Sequence, residues 1–181
     1  MKWVKISTGS ILGLIVLATA AVAIAGMRAD ANRLQCSLVI RQKPAAIWPW
    51  LFEPAKLKQW VTWLVEVRDE GSGEPAPGGK STWVLEDRNN GNQRMEIHSV
   101  VESVEPARKL AVSLDSPIGF RGSSTYRLIE NGEGSTLLES DSRYTFENGF
   151  ARFMTPLVIW QAKKKMLSDM DRLRALLEAR P

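Results

Sequence analysis

The sequence has one cysteine and one histidine in 181 residues, and these two scarcities remove whole classes of chemistry. A lone Cys36 excludes an internal disulfide. One histidine and one cysteine cannot make a typical zinc set, and the acidic residues form no visible cluster, so no metal site is expected. There is no Gly-x-Ser-x-Gly, and His98 is the one imidazole that could act as a base, so nothing supports a nucleophilic triad. Gly-x-Gly-x-x-Gly is missing as well, and no cofactor is expected. Long runs of like charge are also lacking. The net charge is +4, and Lys163–Lys164–Lys165 is the only run of three basic residues. That pattern is too sparse for a nucleic-acid partner, and a basic surface beside an anionic membrane accounts for it equally well. No repeat or low-complexity tract is present.

What is abundant is tryptophan and one uncharged run. Four of the seven tryptophans fall between Trp48 and Trp63. Residues 11–27 carry no charge, and Gly9 and Ser10 extend the run to residues 9–27. This exceeds a usual signal-peptide core and reaches the lower edge of a membrane span. Residues 1–27 are therefore read as a membrane anchor. The Ala-x-Ala sequences Ala21–Ala23 and Ala23–Ala25 keep open the alternative of a cleaved export signal. Lys2, Lys5 and the amino terminus slightly outweigh Arg28 and Arg33, which places the domain outside the cytoplasm, at a bacterial inner membrane facing the periplasm, or secreted after cleavage. Residues 28–33 form a linker and 34–181 the folded domain. The five residues 28–32 reach at most about 18 Å, so an anchored domain sits against the bilayer.

Alternation of apolar and polar residues predicts strands at 34–41, 64–69, 81–87, 94–104, 109–115, 123–129 and 136–146. Gly, Pro and Asn punctuate them, most clearly at residues 71–79 and at Asn90–Gly91. Two short helices are expected at 45–52 and 55–60, the first kinked by Pro49. The last stretch, 155–180, reads as one long amphipathic helix. Thr155 is its expected N-cap and Pro156 its first residue, with Ile159, Met166, Met170, Leu173 and Leu177 as its apolar stripe. Such a helix needs a large apolar surface. Consecutive strands joined by short turns supply one, an antiparallel meander curved around the helix.

Several stretches carry a resemblance. Ser37 to Trp48 runs from strand into Pro44-Ala-Ala-Ile47-Trp48. Glu53-Pro54 leads through five residues to Trp60. Val101-Glu-Ser-Val-Glu-Pro106 leads to Leu110, and Tyr126-Arg-Leu128 is followed by Gly134-Ser-Thr136-Leu137. In this order they resemble the SRPBCC superfamily, the helix-grip fold of START lipid-transfer domains, birch-pollen-allergen-like proteins and polyketide cyclases. The resemblance spans about residues 34–180, and Pro49 and the N-terminal hydrophobic segment depart from it. It implies an α+β helix-grip fold: a curved antiparallel sheet of about six to seven strands wrapped around a long C-terminal helix, with two small helices after the first strand. It further implies a deep apolar cavity between sheet and helix. It does not imply a reaction.

The residues themselves sharpen that expectation. In the last strand Leu138, Ser140, Ser142, Tyr144 and Phe146 share one face, with Glu139, Asp141, Arg143 and Thr145 opposite. The first face must be inner. Hydroxyls where valine or leucine would pack suit either a ligand with a polar group or tight packing beneath an aromatic ring. Ser124 and Tyr126 extend this face, and Met95 and Ile97 line it from another strand, which turns His98 outward. Cys36, beside Leu34, Leu38 and Ile40, is read as an inert buried thiol. Lys163 falls inside the apolar stripe of the last helix, where it snorkels, pairs with a carboxylate, or meets a ligand's anion. Met166 and Met170 suit an adaptable apolar wall. Trp60 and Trp63 stand at the expected cavity mouth, where they pack on the sheet or dip into a membrane interface.

The candidate ligand-binding set is thus Trp60, Trp63, Met95, Ile97, Tyr126, Ser140, Ser142, Tyr144, Lys163, Met166 and Met170. The expected partner is a hydrophobic small molecule, lipid or isoprenoid-like, with the membrane engaged through residues 9–27. No catalytic residue is assigned, and non-enzymatic binding or transfer is preferred. The alternatives are a cyclase/dehydratase-like enzyme using Tyr126, Tyr144 or Ser142, and a non-catalytic protein-interaction module.

Overall fold

The chain forms seven strands, most of them with alternating burial: β1 (Arg33–Ile40), β2 (Leu64–Asp69), β3 (Lys80–Asp87), β4 (Gln93–Glu105), β5 (Lys109–Ser116), β6 (Phe120–Glu130) and β7 (Thr136–Phe146). The computed structural model describes residues 30–69, 73–87 and 91–179. The segment read as anchor or signal, and most of the Asn90–Gly91 turn, lie outside them. Among the described residues no helix is long and apolar enough to cross a membrane.

The strands form one antiparallel sheet in the order β1-β7-β6-β5-β4-β3-β2. β2 to β7 follow one another as a meander, and β1 pairs with the last strand, so the two ends of the domain lie side by side. β4 pairs Val101 with Val112 and then Ser103 with Ala111, leaving Glu102 as an extra residue. β2 skips Val65 in the same way against β3. Each bulge bends its strand and adds twist, which curls the sheet. The long helix α3 (Gly149–Glu178) lies on the curved face, packed on β1 and β7 and against the short helix α2 (Pro54–Trp60). This is the expected helix-grip architecture.

Two helix boundaries differ from the sequence expectation, and proline explains both. The first small helix ends early: α1 covers only Pro44–Ile47, and Trp48–Leu51 continues as a 3-10 turn opened by Pro49, whose ring and missing N–H stop an α-helix there. The long helix begins earlier than Thr155. Asn148 is its N-cap, with Oδ1 accepting from the backbone N–H of Phe150 at 2.8 Å and of Ala151 at 3.4 Å. Pro156 lies inside the helix, and the Thr155 hydroxyl donates back to the Ala151 carbonyl at 3.2 Å. Thr-Pro is a start signal in isolation. Here it is overridden because the better-placed cap at Asn148 and inward packing of Thr155 and Ile159 hold the helix through it.

The far end of α3 is tied to β1. Gln42 Nε2 donates to the Leu177 carbonyl at 3.1 Å, Glu178 accepts from the Arg41 N–H at 2.9 Å, and the Thr136 hydroxyl donates to the Gln42 carbonyl at 2.6 Å. Arg172 caps the end of α2 by donating to the Gln59 carbonyl. Between these ties sits the densest core: Leu34, Ile40, Ile47, Leu57, Trp60, Leu138, Met170 and Leu173 are all buried.

Candidate functional site: the sheet interior and its polar island

Strand register sorts the interior into cross-sheet rows. One row runs Cys36–Ser140–Tyr126–Leu110, and the next Leu34–Ser142–Ser124–Val112. Tyr144 stands opposite Gly122, and Phe146 opposite Phe120. Hydroxyl and thiol groups are thereby gathered into one island on an otherwise apolar face. Ser124 Oγ and Ser142 Oγ share a 2.7 Å hydrogen bond inside it. The Tyr126 hydroxyl approaches Ser124 and Ser140, yet Ser140 Oγ finds no partner at hydrogen-bond geometry. Burial pushes the Tyr126 phenol up to about 12, with nearby Tyr144 adding to the shift. Burial raises the Tyr144 phenol and the Cys36 thiol too. The two phenols and the thiol are therefore neutral at pH 7, and each hydroxyl can donate one hydrogen bond as well as accept.

Tyr144 keeps its place because Gly122 has no side chain. A Cβ there would lie 2.8 Å from the Tyr144 ring and 2.5 Å from the Arg143 carbonyl oxygen. The ring also meets Phe120 edge-on, centroids 6.1 Å apart. Gly122→Ala is expected to cost about 2 kcal/mol, since backbone must move to relieve the overlap. A urea titration beside an NMR or fluorescence probe of Tyr144 checks it; an unchanged midpoint would mean that the ring does not rest on the glycine.

The inner face is sealed beside β1 and the first part of β7 and less fully covered towards β4 and β5. Ser142 and Leu138 have no accessible surface and Ser140 has 1%, so no water-sized space adjoins them. Towards the middle of the sheet Ile97, Val112 and Phe120 reach 8%. Met95, Val101, Leu114, Tyr144, Phe146 and Met166 are only half-buried. The less fully covered part of the inner face therefore lies on β4, β5 and the end of β7, and Tyr144 is the member of the polar island that borders it. The deep cavity that the resemblance implied is, around β1 and β7, filled by packed side chains.

The sequence-derived candidates divide accordingly. Met95, Ile97, Tyr126, Ser140, Ser142, Tyr144 and Met166 all belong to the inner face. Trp60 is core, 2% exposed, with its indole N–H donating to the Trp50 carbonyl at 2.8 Å. It does not reach a membrane interface. Trp63 is half-buried against the core, and Met170 is sealed within it at 1%. Lys163 is exposed on the flank of α3, near enough to Cys36 to favour its thiolate slightly. It snorkels. His98 is exposed, 3.1 Å from the Thr82 hydroxyl.

Asp169 went unnoticed in the sequence. It is a 2% exposed carboxylate on the inward side of α3 that accepts from the Thr62 hydroxyl at 2.8 Å and pairs with Lys165 at 3.4 Å. Lys165 also donates to the Thr62 hydroxyl. This cluster fastens the α2–β2 connection to α3. An acidic residue beside Met170 in a helix that alternates charge with hydrophobe carries no sequence signal of burial.

The profile of the family described as polyketide cyclase / dehydrase and lipid transport matches residues 33–178. The chain belongs to that family. Solved structures agree on the fold. CV1439 from Chromobacterium violaceum superposes with a TM-score of 0.65 at 13% identity, covering 81% of this chain and 97% of that one. A protein from Rhodobacter sphaeroides gives 0.63 at 22% identity, covering 83% and 95%. DynU16, from the dynemicin biosynthetic locus, gives 0.58 at 18%, covering 81% of this chain and 47% of its own. No curated protein matches the sequence. Within the polyketide cyclase / dehydrase and lipid transport family, the interior just described is the feature on which a functional reading rests.

Proposed function

We propose that this domain binds a hydrophobic small molecule, lipid or isoprenoid-like, with residues 9–27 holding it at a membrane. The ligand's apolar part takes the less fully covered stretch of the inner face, against Ile97, Phe120, Phe146 and Met166. A polar head points to the Tyr144 hydroxyl at the rim of the island. The observation that carries this reading is the grouping of unionised donors on an apolar wall beside half-buried methionines. Apolar walls replace water around the chain, worth about 0.8 kcal/mol per methylene before ordering costs. A neutral phenol then orients an acceptor such as a carbonyl or ether oxygen.

The same chemistry favours carriage over conversion. Acid–base catalysis near neutral pH works best with a group that titrates there. Between β1 and β6 the inward polar groups are serines, a threonine, phenols and a thiol, and the shifts at Tyr126, Tyr144 and Cys36 all move away from neutrality.

Native mass spectrometry of the full chain, taken from its host membrane in polymer nanodiscs, tests the proposal. A stoichiometric lipid-sized adduct is expected. Tyr144→Phe is expected to weaken retention about tenfold, the worth of one hydrogen bond of ~1.4 kcal/mol. An empty protein that also refuses a panel of fluorescent lipids would overturn it.

A further inference from the structure

The outward face of the first half of α3 has no partner among the described residues. Phe150 is 73% exposed, Trp160 54%, Val158 40% and Leu157 38%. Phe150, Leu157 and Trp160 fall within about a quarter of the helix circumference at 100° per residue, opposite the inward Thr155 and Ile159. Scattered apolar residues on a surface are ordinary, but two large aromatics and a leucine in one stripe are not. Residues 149–167 contain no aspartate or glutamate. Arg152 turns back onto the Phe146 and Glu147 carbonyls and Lys165 onto Asp169, which leaves Lys163 and Lys164 as the exposed cations along the stripe. Lys164 extends its ammonium over the Trp160 ring, 3.8 Å from the centroid. An apolar stripe edged by lysines, with tryptophan beside them, is the composition of a helix that lies in a bilayer interface.

Topology adds a second, independent argument. β1 runs antiparallel to β7, with Arg33 opposite Arg143 and the Tyr144 N–H donating to the Asn32 carbonyl at 3.0 Å. β7 then passes through Asn148 directly into α3. The chain therefore enters the domain at the same end of the sheet from which the exposed helix face departs. The uncharged run ends at Met27, three residues before Asp30, a reach of about 11 Å at most.

We infer that this face of α3 docks on an anionic lipid surface, with Phe150, Leu157 and Trp160 entering the interface and Lys163 and Lys164 meeting lipid phosphates. The inference goes beyond ligand carriage and holds whether or not a ligand is bound. The role of interfacial tryptophan thereby moves from Trp60, which is core, to Trp160.

The test uses the full chain in vesicles of phosphatidylcholine with 30% phosphatidylglycerol. An environment-sensitive fluorophore is attached at Leu157→Cys and, as control, at Arg127→Cys on the opposite face of the sheet; buried Cys36 stays in place. The label at 157 is expected to shift blue and to be quenched several-fold more than that at 127 by nitroxides carried on the lipid chains. The excess quenching is expected to fall when phosphatidylglycerol is omitted or when Lys164→Glu is introduced. Equal quenching at the two positions in vesicle-bound protein would overturn docking while leaving the anchor intact. A chain that does not bind vesicles overturns both. A blue shift without lipid quenching would also overturn it, and would assign the face to residues 9–27 of the same chain or, if it grows with protein concentration, to a second copy. Ligand extraction is read separately, so failure of carriage leaves these outcomes unaffected.

Discussion

Leu173→Ala is expected to destabilise the domain by about 3 kcal/mol, while the same change at Leu157 in the same helix stays within about 0.5 kcal/mol. The two leucines have equal chemistry and opposite surroundings. Leu173 has no accessible surface and stands one turn before Leu177, whose carbonyl is tied to Gln42. Alanine there removes three methylene-scale groups from the densest contact between α3 and the sheet. The ties on both sides, Arg172 to Gln59 and Glu178 to Arg41, keep the helix from closing over the gap. Leu157 is 38% exposed on the outward face. For a domain of this size the difference corresponds to roughly 10 °C in melting temperature. Equal shifts in the two variants would mean that α3 is not gripped along its second half. The pairing also separates folding from docking, because Leu157→Ala should leave the melt unchanged while loosening vesicle contact.

The helix grip was legible in the sequence because its signals are periodic and redundant. Most strands alternate over six residues or more, and Pro106, Gly119 and the Gly132–Gly134 turn mark where pairing must reverse. The inner face of β7 followed directly from Glu139, Asp141 and Arg143 on the other side, and with it the polar island. What stayed hidden depends on tertiary choice. Thr155–Pro156 carries a stronger local start signal than Asn148, yet the helix begins at Gly149 because Thr155 and Ile159 have a core to enter. Asp169 is buried only because Thr62 and Lys165 arrive from elsewhere in space. Trp60 and Trp160 illustrate the same limit: hydrophobicity alone does not say which indole packs and which faces outward. Nor could periodicity report that the inner face is sealed beside Ser142 and less fully covered at Met95 and Leu114, since that follows from where α3 crosses the sheet.

Raising the pH from 9 to 12 is expected to remove roughly 2–3 kcal/mol of stability through Tyr126 alone. In the unfolded chain this phenol ionises near its ordinary value of 10.0, while burial in the fold holds it to about 12. The unfolded state therefore releases its proton first, and unfolding is drawn forward as pH climbs. The stabilising contribution is whole below pH 10 and is lost progressively through the folded value. Tyr144, shifted in the same direction by burial, adds to the slope. Tyr126→Phe should cost about 1 kcal/mol at pH 7, because Ser124 and Ser140 lose a neighbour, and should flatten the alkaline limb. Adding Tyr144→Phe should flatten it further. Urea midpoints measured between pH 8 and 11.5 decide the matter. An alkaline slope unchanged by both substitutions would mean that water reaches the island freely in the native state. The interior would then lack the dryness that lets a single phenol hydrogen bond orient a ligand, so the same titration bears on the fold and on the proposed binding at once.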